Sequence, residues 1–123
     1  MTHNPVVWFE IYVQDMDRAK TFYESVFQVK LEKLSAPVVE MWNFPVQAKQ
    51  TGTSGSLVHI KGVPSGGNST IVYFACTDCA VEEARAVKFG GKIQKGKMPI
   101  GENGFVSLVY DTEGNLIGLH SMQ

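Results

Sequence analysis

Cysteine is scarce: only Cys76 and Cys79 occur, in the run Cys-Thr-Asp-Cys, and no second pair accompanies them. The nearest histidine in sequence is His59, so half of a zinc site would lack its other half. The first thiol ends an apolar run and does not open a helix, which also argues against the redox form of this spacing. The pair reads as one core thiol and one thiol at a helix start, where the helix N-terminus can favour a thiolate. Runs of Lys and Arg are absent too, and 11 basic residues face 12 acidic ones for a net charge of -1. That balance removes the electrostatic reason to expect nucleic acid or an anionic membrane as a partner. No apolar stretch approaches the roughly 20 residues needed to span a bilayer. The opening Met1-Thr2-His3-Asn4-Pro5 has no basic stretch followed by an apolar one, so a secretory signal is not expected and a cytoplasmic location is. The glycine-rich segment 95–104 lacks the Gly-Lys-Ser/Thr ending of a phosphate-binding loop, and no serine sits in a nucleophile elbow.

What the chain does contain is a pattern written twice. Val6 to Val13 is rich in β-branched and aromatic residues and reads as a strand. Asp15 is placed to cap the helix after it. In that helix Ala19, Phe22, Tyr23, Val26 and Phe27 recur at the spacing of one apolar stripe, with Arg18, Lys20 and Glu24 off it. The run Ile71 to Thr77 again ends in an aspartate, Asp78, 63 positions after Asp15. A second helix follows through Val81, Ala84, Val87 and Phe89, and Gly90-Gly91 stops it. Further strands are expected over 29–34, 38–44 and 56–61 in the first half, and over 92–95, 105–110 and 115–121 in the second.

At 123 residues the chain is expected to be a single α+β domain, 1–123. It divides into a first βαβββ module over 5–61, a flexible linker over 62–69, and a second βαβββ module over 70–122. The helices would cover the outer face of a curved mixed sheet, and the other face would enclose a cup, the default place for a ligand.

The run Val13-Gln14-Asp15-Met16-Asp17-Arg18-Ala19-Lys20-Thr21-Phe22-Tyr23 resembles the first strand and helix of the vicinal oxygen chelate superfamily. The ending Asp111-Thr112-Glu113-Gly114-Asn115-Leu116-Ile117-Gly118-Leu119 is similar to that superfamily's Asp-Pro-x-Gly-Asn-x-Ile-Glu-Leu, with Thr112 for proline. Gln28 stands where a glycine often closes the first helix. The superfamily holds glyoxalases, bleomycin-resistance proteins and ring-cleaving dioxygenases, and the likeness covers nearly the whole chain. It implies the doubled βαβββ fold, frequent pairing into homodimers, and, in metal-using members, four ligands inside the cup. Those positions correspond here to Trp8, Ile71, Gly118 and, in the last strand of the first half, His59. An indole, a branched alkyl group and a hydrogen cannot coordinate a divalent cation, and a catalytic metal needs about three protein ligands. The usual metal chemistry is therefore not expected.

The candidate site residues follow from strand alternation. Trp8, Glu10 and Tyr12 share one face of the first strand, and Ile71 and Tyr73 share the matching face of its twin. Glu10, beside two aromatic rings, is the candidate general base, against the plain alternative of a hydrated or hydrogen-bonded carboxylate. Trp8, Tyr12, Met41, Trp42, Tyr73 and Phe105 are the candidates for holding a ligand by stacking and apolar burial, against core packing or a dimer seam. His59 and His120 are candidates to bind a metal together with Glu10 in a divergent site, against the commoner hydrogen-bonded histidine. The segment 95–104 reads as a mobile loop over the cup.

Three functions stay open. The first is a metal-free protein that binds a small organic molecule, with no cofactor, no nucleic acid and no membrane, as a homodimer. The second is a glyoxalase-like lyase or isomerase that uses a divalent metal through Glu10, His59 and His120. The third is an interaction module whose cup is filled by its own side chains.

Overall fold

The computed structural model describes residues 9–35, 39–47, 49–67 and 71–123. The first half runs β1 (Phe9–Tyr12), α1 (Met16–Phe27), β2 (Glu32–Leu34), β3 (Glu40–Asn43) and β4 (Gly55–His59). The second repeats the plan with β5 (Tyr73–Ala75), α2 (Cys79–Lys88), β6 (Lys92–Pro99), a short 3-10 turn (Gly101–Asn103), β7 (Phe105–Tyr110) and β8 (Leu116–Ser121). Each half forms one four-stranded mixed sheet, in the order β1-β4-β3-β2 and β5-β8-β7-β6. The pairs β1–β4 and β5–β8 are parallel, and the rest are antiparallel. The expected α+β class and the duplication are both present. No helix among the described residues is long and apolar enough to cross a membrane.

Both helices begin as the sequence indicates. Asp15 accepts from the Arg18 backbone N–H at 3.0 Å and Asp78 from that of Ala80 at 3.0 Å, each satisfying a donor that the first helical turn leaves free. At its end α1 passes through Gln28 at φ 56°, a left-handed conformation that favours glycine. The stripe Ala19, Phe22, Tyr23 and Val26 is buried. Against it pack Ile11 and Leu57 of one sheet and Val109, Ile117 and Leu119 of the other, all in one continuous core. Phe9 of β1 meets Phe74 of β5 edge to face at 5.5 Å, so the aromatic cluster crosses from half to half. Each fully buried Phe, Leu, Ile or Val side chain contributes about 1.5–3 kcal/mol.

The segment 95–104 is not a free loop. Strand β6 continues to Pro99 and pairs with β7 across register shifts between Ile93 and Lys95 and between Lys95 and Met98. The irregularity is held from the helix: Glu83 Oε1 of α2 accepts the Lys97 backbone N–H at 2.7 Å and the Ser107 hydroxyl at 2.8 Å, and Lys97 Nζ reaches Asp78 at 2.8 Å. Gly96 falls inside the second irregularity and Pro99 ends an edge strand, where a sheet tolerates them.

The described part of the connector is tied down as well. Ser65 donates its hydroxyl to the Tyr12 carbonyl at 2.6 Å, and Gln14 Nε2 donates to the Val63 carbonyl at 2.9 Å. Asn115 Oδ1 accepts the Gly66 N–H at 2.9 Å.

The halves are joined at the turn between β7 and β8. Glu113 has a fully covered side chain and accepts Arg18 Nε at 2.8 Å and Arg18 NH2 at 2.7 Å. It also takes the backbone N–H groups of Gln14 and Asp15 and the hydroxyl of Thr112, which stands where the resembled motif has proline. Burial alone would raise this carboxyl, but the Arg18 guanidinium and the other donors outweigh it and hold it down to about 2. Asp111 accepts the buried Tyr23 hydroxyl at 2.5 Å and the backbone N–H groups of Glu113 and Asn115 at 2.8 Å each. Burial leaves the Asp111 carboxyl raised despite those donors, and burial together with the Asp111 charge pushes the Tyr23 phenol well up.

Because the folded Glu113 value lies below the ordinary 4.5, its contacts stabilise the fold fully above about pH 4.5 and weaken as pH falls toward about 2. Asp111, with a raised value, acts in the opposite sense and subtracts stability once ionised. Glu113→Ala is expected to lower the unfolding free energy by about 3 kcal/mol at pH 7, because it leaves buried donors without an acceptor. Urea denaturation should show a smaller loss at pH 3; equal losses at the two pH values would mean that the carboxylate charge is not the source.

Candidate functional site

Strand register decides which side chains can meet. Glu10 lies opposite Ser56 and Tyr12 opposite Val58, while Met41 is opposite Val58 and Asn43 opposite Ser56. Glu10, Tyr12, Met41 and Asn43 therefore share the face turned away from the helices. In the second sheet Tyr73 and Leu108 flank Gly118, and Ala75 and Val106 flank His120, again on the open face. Tyr110 and Leu116 pair there as well.

Two aromatic candidates fall on the other side. Trp42 is opposite the buried Leu57, packs against the core, and carries Lys20 Nζ of α1 at 3.3 Å from its ring centroid. Phe105 is opposite the buried Ser121, with Lys97 Nζ at 4.7 Å from its ring. Both are core aromatics capped by lysines from neighbouring elements. His59 is opposite Glu40 on the face of Trp42, so β4 turns it away from Glu10. Trp8 lies outside the described residues. Of the ligand candidates, Tyr12, Met41 and Tyr73 stand on the open faces.

The same register corrects one positional assignment. Glu10 and Tyr73 are equivalent in the two halves, 63 residues apart, and Tyr73 is opposite Gly118 as Glu10 is opposite Ser56. The first-half counterpart of Gly118 is thus Ser56, whose hydroxyl bonds Asn43 Oδ1, and not His59. At Gly118 itself a Cβ would fall 2.2 Å from Tyr73 Cδ1 and 2.3 Å from Cε1. The Tyr73 ring lies directly on the Gly118 backbone and fills the space in which a longer side chain would stand. Among the described residues no group of three or more His, Cys, Asp or Glu side chains is close enough to hold a metal ion. Glu10, His59 and His120 are not brought together.

Where the edges of the two sheets meet there is a pocket of about 230 Å³. It is lined by Glu10, Ile11 and Tyr12 of β1, by Val72, Leu116 and Ile117 of the second half, and by Pro64, Gly66 and Asn115. The Tyr12 hydroxyl donates to Glu10 Oε1 at 3.0 Å, and that contact, burial and the Glu10 charge raise the Tyr12 phenol. Asn115 Nδ2 donates to the Tyr12 carbonyl at 2.9 Å, fixing β1 against the β7–β8 turn. Glu10 and Tyr12 were sequence candidates; the facing residues Val72, Leu116 and Ile117 were not. Strand alternation gives faces within a strand and says nothing of which edges abut.

The thiols lie apart from this pocket. Cys79 is buried, and its N–H donates to Ser121 Oγ at 3.0 Å. Cys76 is partly buried, and burial, with the Glu82 carboxylate beside it, pushes its thiol up to about 12. At pH 8 that leaves roughly one thiolate in ten thousand. Native protein is therefore expected to resist an aromatic disulfide reagent until it is unfolded; fast stoichiometric labelling of the native state would contradict this placement.

The sequence model described as the glyoxalase/bleomycin resistance protein/dioxygenase superfamily matches residues 6–119. Among solved structures, TnmS3, an antibiotic-binding protein from a Streptomyces species, superposes with a TM-score of 0.73 at 24% identity, covering 98% of either chain. A glyoxalase/bleomycin resistance protein from Albidiferax ferrireducens gives 0.70 at 16% identity, over 96% of this chain and 98% of that one. Glyoxalase I from Zea mays gives 0.71 at 21% identity over 96% of this chain, which spans only 46% of the maize protein. These likenesses are of fold. No curated protein sequence matches the chain.

Proposed function

Because the chain belongs to the glyoxalase/bleomycin resistance protein/dioxygenase superfamily, we propose that it is a small-molecule-binding protein that works without the superfamily's metal. The observation that carries this reading is the Tyr73 ring seated on Gly118. One change of residue type removes a ligand position, and the other puts an aromatic surface in its place. Tyr73 is 50% exposed, so its outer edge and face remain open to a ligand. The seam pocket beside it is smaller than most drug-sized sites, so it would take one ring or a short chain, and a larger compound would extend over Tyr73 and Leu108. Glu10 is exposed and holds the Tyr12 hydroxyl, a geometry suited to gripping a polar group of the ligand. The antibiotic-binding neighbour supports the same class of function. Pairing of two chains belongs to this reading, since the 38%-exposed Tyr110 leaves a large ring in solvent that a second copy would cover.

The test combines elemental analysis with titration. Protein purified without chelators is expected to carry well under one equivalent of nickel, zinc, iron or manganese. 2-Naphthol is expected to shift the amide resonances of Tyr12, Tyr73 and Leu116, with affinity falling about fivefold or more in Tyr73→Ala. One bound metal per chain, or naphthol binding insensitive to that substitution, would overturn the proposal. Sedimentation should give the mass of two chains, and a monomer at high concentration would remove the pairing.

A further inference from the structure

The lining of the seam pocket is chemically lopsided. Among the described residues that line it, Glu10 is the only charged one and none is a cation. Among the described residues no ion pair is made to Glu10; its close partner is the neutral Tyr12 hydroxyl, on Oε1. The other polar side chain, Asn115, is spent: Nδ2 serves the Tyr12 carbonyl and Asp111, and Oδ1 takes the Gly66 N–H. Ile11, Tyr12, Pro64, Val72, Leu116 and Ile117 supply apolar wall. The chain as a whole is close to neutral, at -1, so the negative charge is a property of this place and not of the whole surface.

We infer that the pocket selects an organic cation, a protonated amine on a small apolar or single-ring body, over a neutral or anionic compound of the same shape. The inference rests on the small-molecule-binding reading above. An ammonium group placed at Glu10 meets a carboxylate oxygen that the tyrosine hydroxyl leaves open, with the Tyr12 side chain beside it. The apolar body then replaces water along Leu116, Val72 and Pro64. An anion of the same shape would meet Glu10 with no compensating cation in the lining. Acidic compounds are thereby disfavoured, and amines are admitted.

Three probes of one shape test this at pH 7: 2-phenylethylammonium, 2-phenylethanol and 3-phenylpropanoate, each titrated against the amide resonances of Tyr12, Val72 and Leu116. The amine is expected to bind about fivefold more tightly than the alcohol, the size of a partly exposed charge pair with some cation–π support, and the carboxylate most weakly. Added salt should narrow the gap. In Glu10→Gln the ratio of amine to alcohol affinity should fall to about one. Equal or tighter binding of the carboxylate, or an amine preference that survives Glu10→Gln, overturns the charge assignment while leaving the binding reading in place. Failure of all three probes to shift these resonances overturns the binding reading, and this inference with it.

Discussion

Glu113 is where the two halves become one molecule. A turn between two strands of the second half places a carboxylate at the start of the first helix, where it takes two backbone donors and both arms of Arg18. Next to it, Asp111 receives the hydroxyl of Tyr23, the largest fully buried side chain of α1. Helix N-termini carry free N–H groups and a partial positive charge, so an acidic turn is the natural plug for one. Burying two carboxylates is costly unless each is saturated with donors, and here each is. Shape packing through Phe9 and Phe74 brings the halves together, but it has no direction. The acidic turn supplies the direction.

The pocket is a consequence of that joint. Asn115 sits in the same turn and holds the Tyr12 carbonyl, so the end of β1 is fixed relative to β8 by a side chain that also shapes the turn. The connector closes the assembly from below through Ser65 and Gly66. Two strand edges held at a set distance without pairing leave a gap, and the gap is lined by whatever those edges carry. On β1 that is Glu10 and Tyr12. On the other side it is Val72 and Leu116. Asn115 thus serves both the turn and the pocket lining, while Glu10 is exposed and outside the core.

Much of this was legible in the residues. Asp15 and Asp78 announce both helix starts, because few residue types can satisfy the first turn's donors. The stripe from Ala19 to Phe27 announces a buried helix face, because 3.6-residue periodicity has few other causes. Gln28 was legible as an oddity, and its left-handed φ shows why glycine would suit the position. The faces of Trp42, Phe105 and His59 were not legible. Alternation fixes parity within a strand, but the side on which that parity falls depends on pairing across the sheet, and β4 enters one residue away from the register that would have turned His59 inward. The segment 95–104 misled because glycine and proline weaken a strand without forbidding it at an edge. What tips the balance there is Glu83, more than ten residues earlier in the chain.

The comparison of halves carries the functional argument further than either half alone. Positions 10 and 73 are equivalent, as are 56 and 118, and the contents of the two sites differ in kind. The first half keeps a carboxylate over a serine that is engaged with Asn43. The second has a phenol ring lying on a glycine. A metal site needs about three donors at one point, and among the described residues neither place gathers them. A binding surface has no such requirement, because apolar contact and one charge each contribute separately and can sit on different halves. On the proposed reading, the asymmetry between Glu10 and Tyr73 divides recognition between the halves, one offering charge and the other shape.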